Sequence, residues 1–304
     1  MNVLFQKIGY YVLGVPVFLS LPFLSLLDIQ HRKKILEAAS PYLQPITINM
    51  LFPGLLKGSA DFIEYNLDRT ESTKLFLGFA GNNNTPEEAQ AILTGLPFTN
   101  GVVFNPHDQP CVIVPLLYAP TQQRYLELLS DRVKQYCKKF PLLQELYMIG
   151  HSLGAAISLQ LIQHMRLERP DLRIYFVADR SFDKLWHVAS FRYGSFLADI
   201  MQLTFGVLWD FDSQKILDQL KKDPMVECSV YQLIPDEVLG NRALLINKLF
   251  TSTQRPPLAW SAQYDHFNAK NTEKLHITPY KDLQQRTDLK QQFKLVRGFW
   301  RGGS

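Results

Sequence analysis

The feature that most constrains the fold of this 304-residue chain is a glycine-rich turn between two apolar segments. The run LYMI at 146–149 leads into Gly150-His151-Ser152-Leu153-Gly154, and a segment that begins with two alanines leads out of it. The apolar run predicts a strand, and the pattern over 153–167 predicts a helix. A strand that passes directly into a helix through such a turn is typical of a parallel sheet, so the sequence predicts an α/β fold.

The rest of the chain alternates in the same way. Thr85-Pro86-Glu87-Glu88 forms a capping-box pattern that opens a predicted helix through residue 93. Continuous hydrophobicity in the strands indicates a sheet buried on both faces, mostly parallel, with helices on each side. Strands are predicted at 46–51, 62–66, 74–79, 101–104, 146–149, 173–177, 229–234 and 258–260, and further helices at 121–140, 182–207, 213–222, 241–249 and 281–297. We found no repeat, and therefore expect one α/β domain over 45–304.

Composition narrows the class of protein. Hydrophobic residues make up 46% and charged residues 20% of the chain, which is enough apolar material for a large core. The net charge of +4 is too weak to predict a nucleic-acid partner. Cys111, Cys137 and Cys228 are widely spaced, which predicts buried reduced thiols and neither a metal site nor a disulfide framework. No metal or organic cofactor is expected.

Residues 1–44 form a separate hydrophobic segment. Residues 8–27 carry no charge, and twenty residues in a helix would cross about 30 Å of hydrocarbon. Pro16 and Pro22 interrupt the run, and a basic cluster at 31–34 follows it. We expect membrane association, with the main domain on the cytoplasmic side if the run spans a bilayer. The alternative is a hydrophobic hairpin or helix packed on the domain itself, in a cytoplasmic protein.

Ser152 is the candidate nucleophile, because its glycine neighbours permit a strained turn and the helix that follows points its positive end at the hydroxyl. The alternative is a serine that merely caps the helix. A serine hydroxyl needs a base, and in this topology the base follows the acid in the chain. Of the seven histidines, His266 and His276 satisfy that order. We favour His266, which lies in a loop just after the strand predicted at 258–260.

The acid is expected at the end of a strand between Ser152 and the base. Asp236 follows the strand predicted at 229–234 and is the favoured candidate, with Glu237 as its neighbouring alternative and Asp179 as a second one at the end of the strand before. Asp179 has another interpretation as a capping or arginine-paired residue. Two backbone N–H groups would form an oxyanion hole, one from Leu153 and one from Asn82, with Ala80 as the alternate.

These residues resemble the α/β-hydrolase superfamily over about residues 45–280. Within it, they resemble the bacterial CHLPS-type serine hydrolases, which also occur among Legionella-type secreted proteins. Membrane-associated phospholipid lipases with an HGN loop are more distant. The matching pieces are GHSLGAA at 150–156, FAGNNNT at 79–85, ADRSFDKL at 178–185, WDFDS at 209–213, IPDEVL at 234–239 and the loop His266. The resemblance implies a triad of Ser152, Asp236 and His266. Ala80 replaces the family histidine, so only the backbone role of Asn82 is retained.

The expected function is hydrolysis of a carboxylic ester through an acyl-enzyme. Both ends of the chain are basic, with four basic and one acidic residue over 1–34 and eight basic and three acidic residues over 270–304. The apolar N-terminal run and these basic ends favour a lipid or acyl ester and a membrane surface over other partners. Alternatives are a peptidase or acyltransferase of the same fold, or a non-catalytic membrane-associated interaction protein on a hydrolase scaffold. Secretion into a host cell is a further expectation from the resemblance.

Overall fold

The computed structural model describes residues 62–82, 84–116, 122–195, 198–199, 202, 210–234, 236, 238–239, 243–245, 275–285 and 294–301. The N-terminal segment 1–44, the strands predicted at 46–51 and 258–260, and His266 lie outside the described residues. In the described part of the chain, no helix is both long enough and apolar enough to cross a bilayer.

The described strands form one seven-stranded sheet in the order β1-β3-β2-β4-β5-β6-β7. The four inner pairings are parallel, while β1 and β7 pair antiparallel at the two edges. The strands are β1 Ile63–Tyr65, β2 Lys74–Phe79, β3 Cys111–Val114, β4 Glu145–His151, β5 Arg173–Asp179, β6 Val226–Ile234 and β7 Lys294–Arg301. This arrangement, with the serine turn after β4, confirms the predicted α/β fold with a mostly parallel sheet.

Helices connect the strands and cover both faces of the sheet. They are α1 Pro86–Leu93, α2 Gln122–Lys139, α3 Leu153–Glu168, α4 Leu185–Tyr193, α5 Ser213–Leu220 and α6 Tyr280–Gln285. The predicted capping box opens α1, since the Thr85 hydroxyl accepts from the Glu88 amide and the Glu88 carboxylate accepts from the Thr85 amide.

Side chains on both faces of β2, β4 and β5 are buried, as their unbroken apolar sequences predicted. On one face, Tyr147 stacks on Phe76 at 4.4 Å and on Tyr175 at 4.8 Å between ring centroids. On the other face, aliphatic side chains of α2 and α3 fill the core. The three cysteines are buried and free, as expected from their spacing.

One predicted strand is wrong, and one predicted helix is wrong in its last residues. Residues 101–104 form a small hairpin with 96–98, through a bridge between Val103 and Pro97, and the neighbouring sheet strand is β3. The helix predicted at 281–297 is confirmed in its first part by α6, but residues 294–297 belong to strand β7. The β7 sequence KLVRGFWR contains three residues that favour strands, Val296, Phe299 and Trp300, and pairing with the open side of β6 satisfies its backbone.

Candidate active site

The turn after β4 holds Ser152 in a conformation that a serine rarely adopts, with φ 51° and ψ −117°. Glycine is required on both sides of Ser152, because a side chain at either position would overlap backbone atoms. A Cβ at Gly150 would lie 2.5 Å from the Ala155 nitrogen, and one at Gly154 would lie 2.4 Å from the Ala80 carbonyl oxygen. The sequence therefore folds here into a strained elbow that brings α3 against the end of β2.

Ser152 lies at the N-terminus of α3, but its side chain makes no capping hydrogen bond to that helix. The interpretation of Ser152 as a simple helix cap is therefore wrong. Ser152 as a residue is 7% exposed, and it lies at the end of the helix where the dipole is positive.

Asp236 lies just beyond β6, at the carboxyl end of the sheet, and is buried. One carboxylate oxygen accepts the backbone N–H groups of Val238 and Leu239, both at 3.0 Å, and the other lies 2.9 Å from Nδ1 of His276. Burial raises the pKa of this carboxyl, but the attraction of His276 and these hydrogen bonds outweigh it, so the pKa lies below its ordinary value. Asp236 is therefore an ionised hydrogen-bond acceptor at neutral pH.

His276 is the histidine that meets Asp236. It lies in the short 3₁₀ turn Leu275–Ile277 and is 4% exposed. Because Nδ1 faces a carboxylate, that nitrogen carries the proton, and the neutral ring then has its lone pair on Nε2. His266, the favoured candidate from sequence, stays a prediction outside the described residues. His276 was its alternative.

A ring contact brings His276 to the elbow. Its ring centroid lies 4.8 Å from that of His151, the residue directly before Ser152. The nucleophile candidate at the end of β4 and the Asp236–His276 pair beyond β6 therefore lie at the same end of the parallel strands, and the His151 ring is the contact between them. This is the side at which parallel strands of α/β enzymes carry their functional loops.

Beneath these residues lies a second buried cluster. In the parallel register of β4 and β5, His151 is opposite Asp179, and its Nδ1 lies 2.8 Å from the Asp179 carboxylate. The same carboxylate accepts hydrogen bonds from Arg180, so the arginine-paired interpretation of Asp179 is confirmed. Burial is the main reason that the pKa of His151 falls to about 4, so its ring is neutral at pH 7.

The loop after β2 completes the arrangement. A Cβ at Gly81 would lie 2.6 Å from Cδ2 of His151 and 2.7 Å from Oδ1 of Asn84, so this loop lies directly against the elbow. Asn82 follows Gly81 at the same place. Leu153 is the first residue of α3, and first-turn amides have no partner within their own helix. Both predicted oxyanion donors therefore belong to segments that meet at Ser152.

Among the described residues, no three His, Cys, Asp or Glu side chains are grouped as metal ligands would be. The hydrogen bond between His151 and Asp179 was not predicted from the sequence. The signal for it was the pairing of two strands whose last residues are polar, which becomes visible only once the register is known.

Comparison with solved structures gives distant similarities. One is to an epoxide hydrolase of Bacillus megaterium in complex with an inhibitor (13% identity, 54% of this chain and 52% of that chain, TM-score 0.29). Another is to the Vlm2 thioesterase domain bound with a dodecadepsipeptide (15% identity, 51% and 57%, TM-score 0.27). A third is to the lipase BlEst2 of Bacillus licheniformis in its propeptide form (14% identity, 56% and 38%, TM-score 0.30). The matched region thus spans about half of the first two structures and less of the third. No protein-family model matches the chain, and no curated protein sequence matches it.

Proposed function

We propose that this protein is a serine hydrolase that cleaves a carboxylic ester, with Ser152 as nucleophile, His276 as base and Asp236 as the acid that orients it. The observation that carries the proposal is the 2.9 Å hydrogen bond between Asp236 and His276, on the same side of the sheet as a serine held at φ 51°. A nucleophile on a strained turn and a base oriented by a buried carboxylate are the parts that acyl transfer needs.

The proposed reaction begins with attack of the Ser152 hydroxyl oxygen on the ester carbonyl. His276 accepts the hydroxyl proton on Nε2 and then donates it to the leaving alcohol. Asp236 holds the Nδ1–H tautomer and stabilises the imidazolium. The backbone N–H groups of Leu153 and Asn82 receive the oxyanion, and water resolves the acyl-enzyme in the second half-reaction.

The substrate class rests on the sequence. The apolar run at 8–27 and the basic ends favour an acyl lipid at a membrane surface. Membrane association and the kinship with CHLPS-type hydrolases belong to the same proposal. A panel of nitrophenyl esters from acetate to palmitate, with phospholipid vesicles and an amide substrate, separates an esterase from a lipase or a peptidase.

The decisive experiment is labelling with a fluorophosphonate probe. Wild type is expected to label, and Ser152→Ala is expected to abolish labelling. Absence of labelling in folded wild-type protein would contradict the proposal and favour a non-catalytic interaction protein.

Matched variants identify the partners of Ser152. We expect His276→Gln to slow hydrolysis by about 10³-fold or more, and His266→Gln to have a far smaller effect. Asp236→Asn is expected to be much more damaging than Asp179→Asn. If His266→Gln proves the more severe change, His266 is the base and the sequence prediction is right.

A further inference from the structure

Arg180 is a buried arginine that the proposed mechanism does not use. It follows β5 directly, and its side chain is 0% exposed, which is rare for arginine unless its charge is paired.

The guanidinium of Arg180 joins two separate parts of the site. Its Nε donates to the Asp179 carboxylate at 2.9 Å and its Nη2 does so at 2.6 Å. Its Nη1 donates to the backbone carbonyl of Thr278 at 2.6 Å. Thr278 is two residues after His276, so one rigid fork ties the end of β5 to the turn that carries the proposed base.

The backbone of Arg180 has an unusual conformation. Arg180 has φ 46°. Among the described residues other than glycine, only Asn66, Ser152 and Arg180 have a positive φ. Two hydrogen bonds hold this conformation: the Arg180 N–H donates to the Tyr231 carbonyl at 2.7 Å, and the Ser181 hydroxyl donates to the Ser152 carbonyl at 3.0 Å. Strained backbone of this kind persists where surrounding contacts fix it, and it concentrates at functional sites.

His276 is therefore held from three directions. Asp236 binds its Nδ1, the neutral ring of His151 lies against its own ring, and Arg180 holds the backbone that follows it. His151 is itself fixed by the carboxylate that Arg180 binds. We propose that Arg180 is a positioning residue that holds His276 in register with Ser152 through Asp179 and the Thr278 carbonyl. This inference rests on the proposed function.

The competing explanation is that Arg180 only neutralises Asp179 and stabilises the fold. Arg166 provides a matched control, because it forms the same fork elsewhere. It binds the Asp223 carboxylate at 2.7 and 3.2 Å and donates to the carbonyls of Arg169 and Leu172 at 3.1 and 2.8 Å. None of these residues belongs to the candidate site.

The test compares Arg180→Lys with Arg166→Lys. Lysine keeps the charge but cannot serve both Asp179 and Thr278 with one ammonium in the geometry of the fork. We expect Arg180→Lys to lower kcat for a short nitrophenyl ester by about 10²-fold with little change in KM, because a small misplacement of a catalytic group has that effect. The far-downfield proton resonance of His276 Nδ1–H should broaden or vanish. Arg166→Lys should keep the wild-type rate and resonance.

A folded Arg180→Lys protein with wild-type kcat and resonance overturns the proposal. If Arg180→Lys does not fold, Asp179→Asn/Arg180→Gln, which removes both buried charges together, replaces it with the same expected results. The wild-type protein distinguishes failure of the proposed function from failure of the positioning role of Arg180. If wild type neither reacts with the fluorophosphonate probe nor hydrolyses esters, the proposed function fails. The response of the resonance to Arg180→Lys still reports whether Arg180 positions His276.

Discussion

His151 should make the stability of this protein depend on pH in a predictable way. Its imidazole is buried, and burial is the largest cause of the fall in its pKa from 6.5 to about 4. The hydrogen bond to Asp179 opposes this fall, while the charge of Arg180 adds to it. In the unfolded chain the same imidazole would titrate near its ordinary pKa.

The sign follows from where the proton binds. Between pH 6.5 and about pH 4 the unfolded chain binds a proton at His151 and the folded chain does not, so stability falls as the pH falls through this range. The contribution is fully present above pH 6.5. A difference of one bound proton changes the free energy of unfolding by about 1.4 kcal/mol per pH unit. Between pH 6.5 and about pH 5, His151 should therefore lower the free energy of unfolding by about 2 kcal/mol.

Urea unfolding at about pH 7, pH 6 and pH 5 measures this effect. His151→Gln, whose amide can still donate to Asp179, should lower stability at pH 7 yet flatten the pH dependence. His164→Gln, which removes an exposed imidazole of α3, should follow the wild-type slope. If His151→Gln and wild type lose stability in parallel, His151 is not a buried neutral group and the reasoning fails.

Two further predictions concern the elbow and the first helix. Gly154→Ala should destabilise the protein by about 3 kcal/mol in urea unfolding, because the new Cβ would meet backbone atoms that cannot move aside. Gly101→Ala, which meets nothing within 4 Å but has φ +85°, should cost only about 1 to 2 kcal/mol, and an equal loss at both sites would refute the steric argument. Thr85→Ala should cost about 1 kcal/mol by removing one half of the capping box, and Thr85→Ser should restore most of it. Equal stability of the alanine and serine variants would show that the cap contributes nothing.

The parts of the fold that are determined by residues close together in the sequence were predictable from it. The elbow, the strands around it and the capping box at Thr85 are local patterns, and all are present. The strand β3 was missed although CVIV between Pro110 and Pro115 carries a clear strand signal. The segment 101–104 has a similar composition, but Gly101 turns the chain back there instead.

The partner of Asp236 could not be read from the sequence. His266 was favoured because a predicted strand precedes it, whereas the sequence predicts no strand directly before His276, which lies in the turn Leu275–Ile277. What brings His276 to Asp236 is contact between segments forty residues apart. The fork of Arg180 is equally non-local, since it reaches Thr278 across ninety-eight residues.

The antiparallel strand β7 has a consequence for synthesis of the chain. Of the described strands, β7 alone covers the outer side of β6, from Glu227 to Ile234. About 60 residues separate the two strands, so at about 5 to 20 residues per second β6 would wait roughly 3 to 12 s on the ribosome for this partner. During that interval it would present an open row of backbone groups to other nascent chains. Chaperone demand should therefore peak between the synthesis of β6 and that of β7, after the serine elbow has been made.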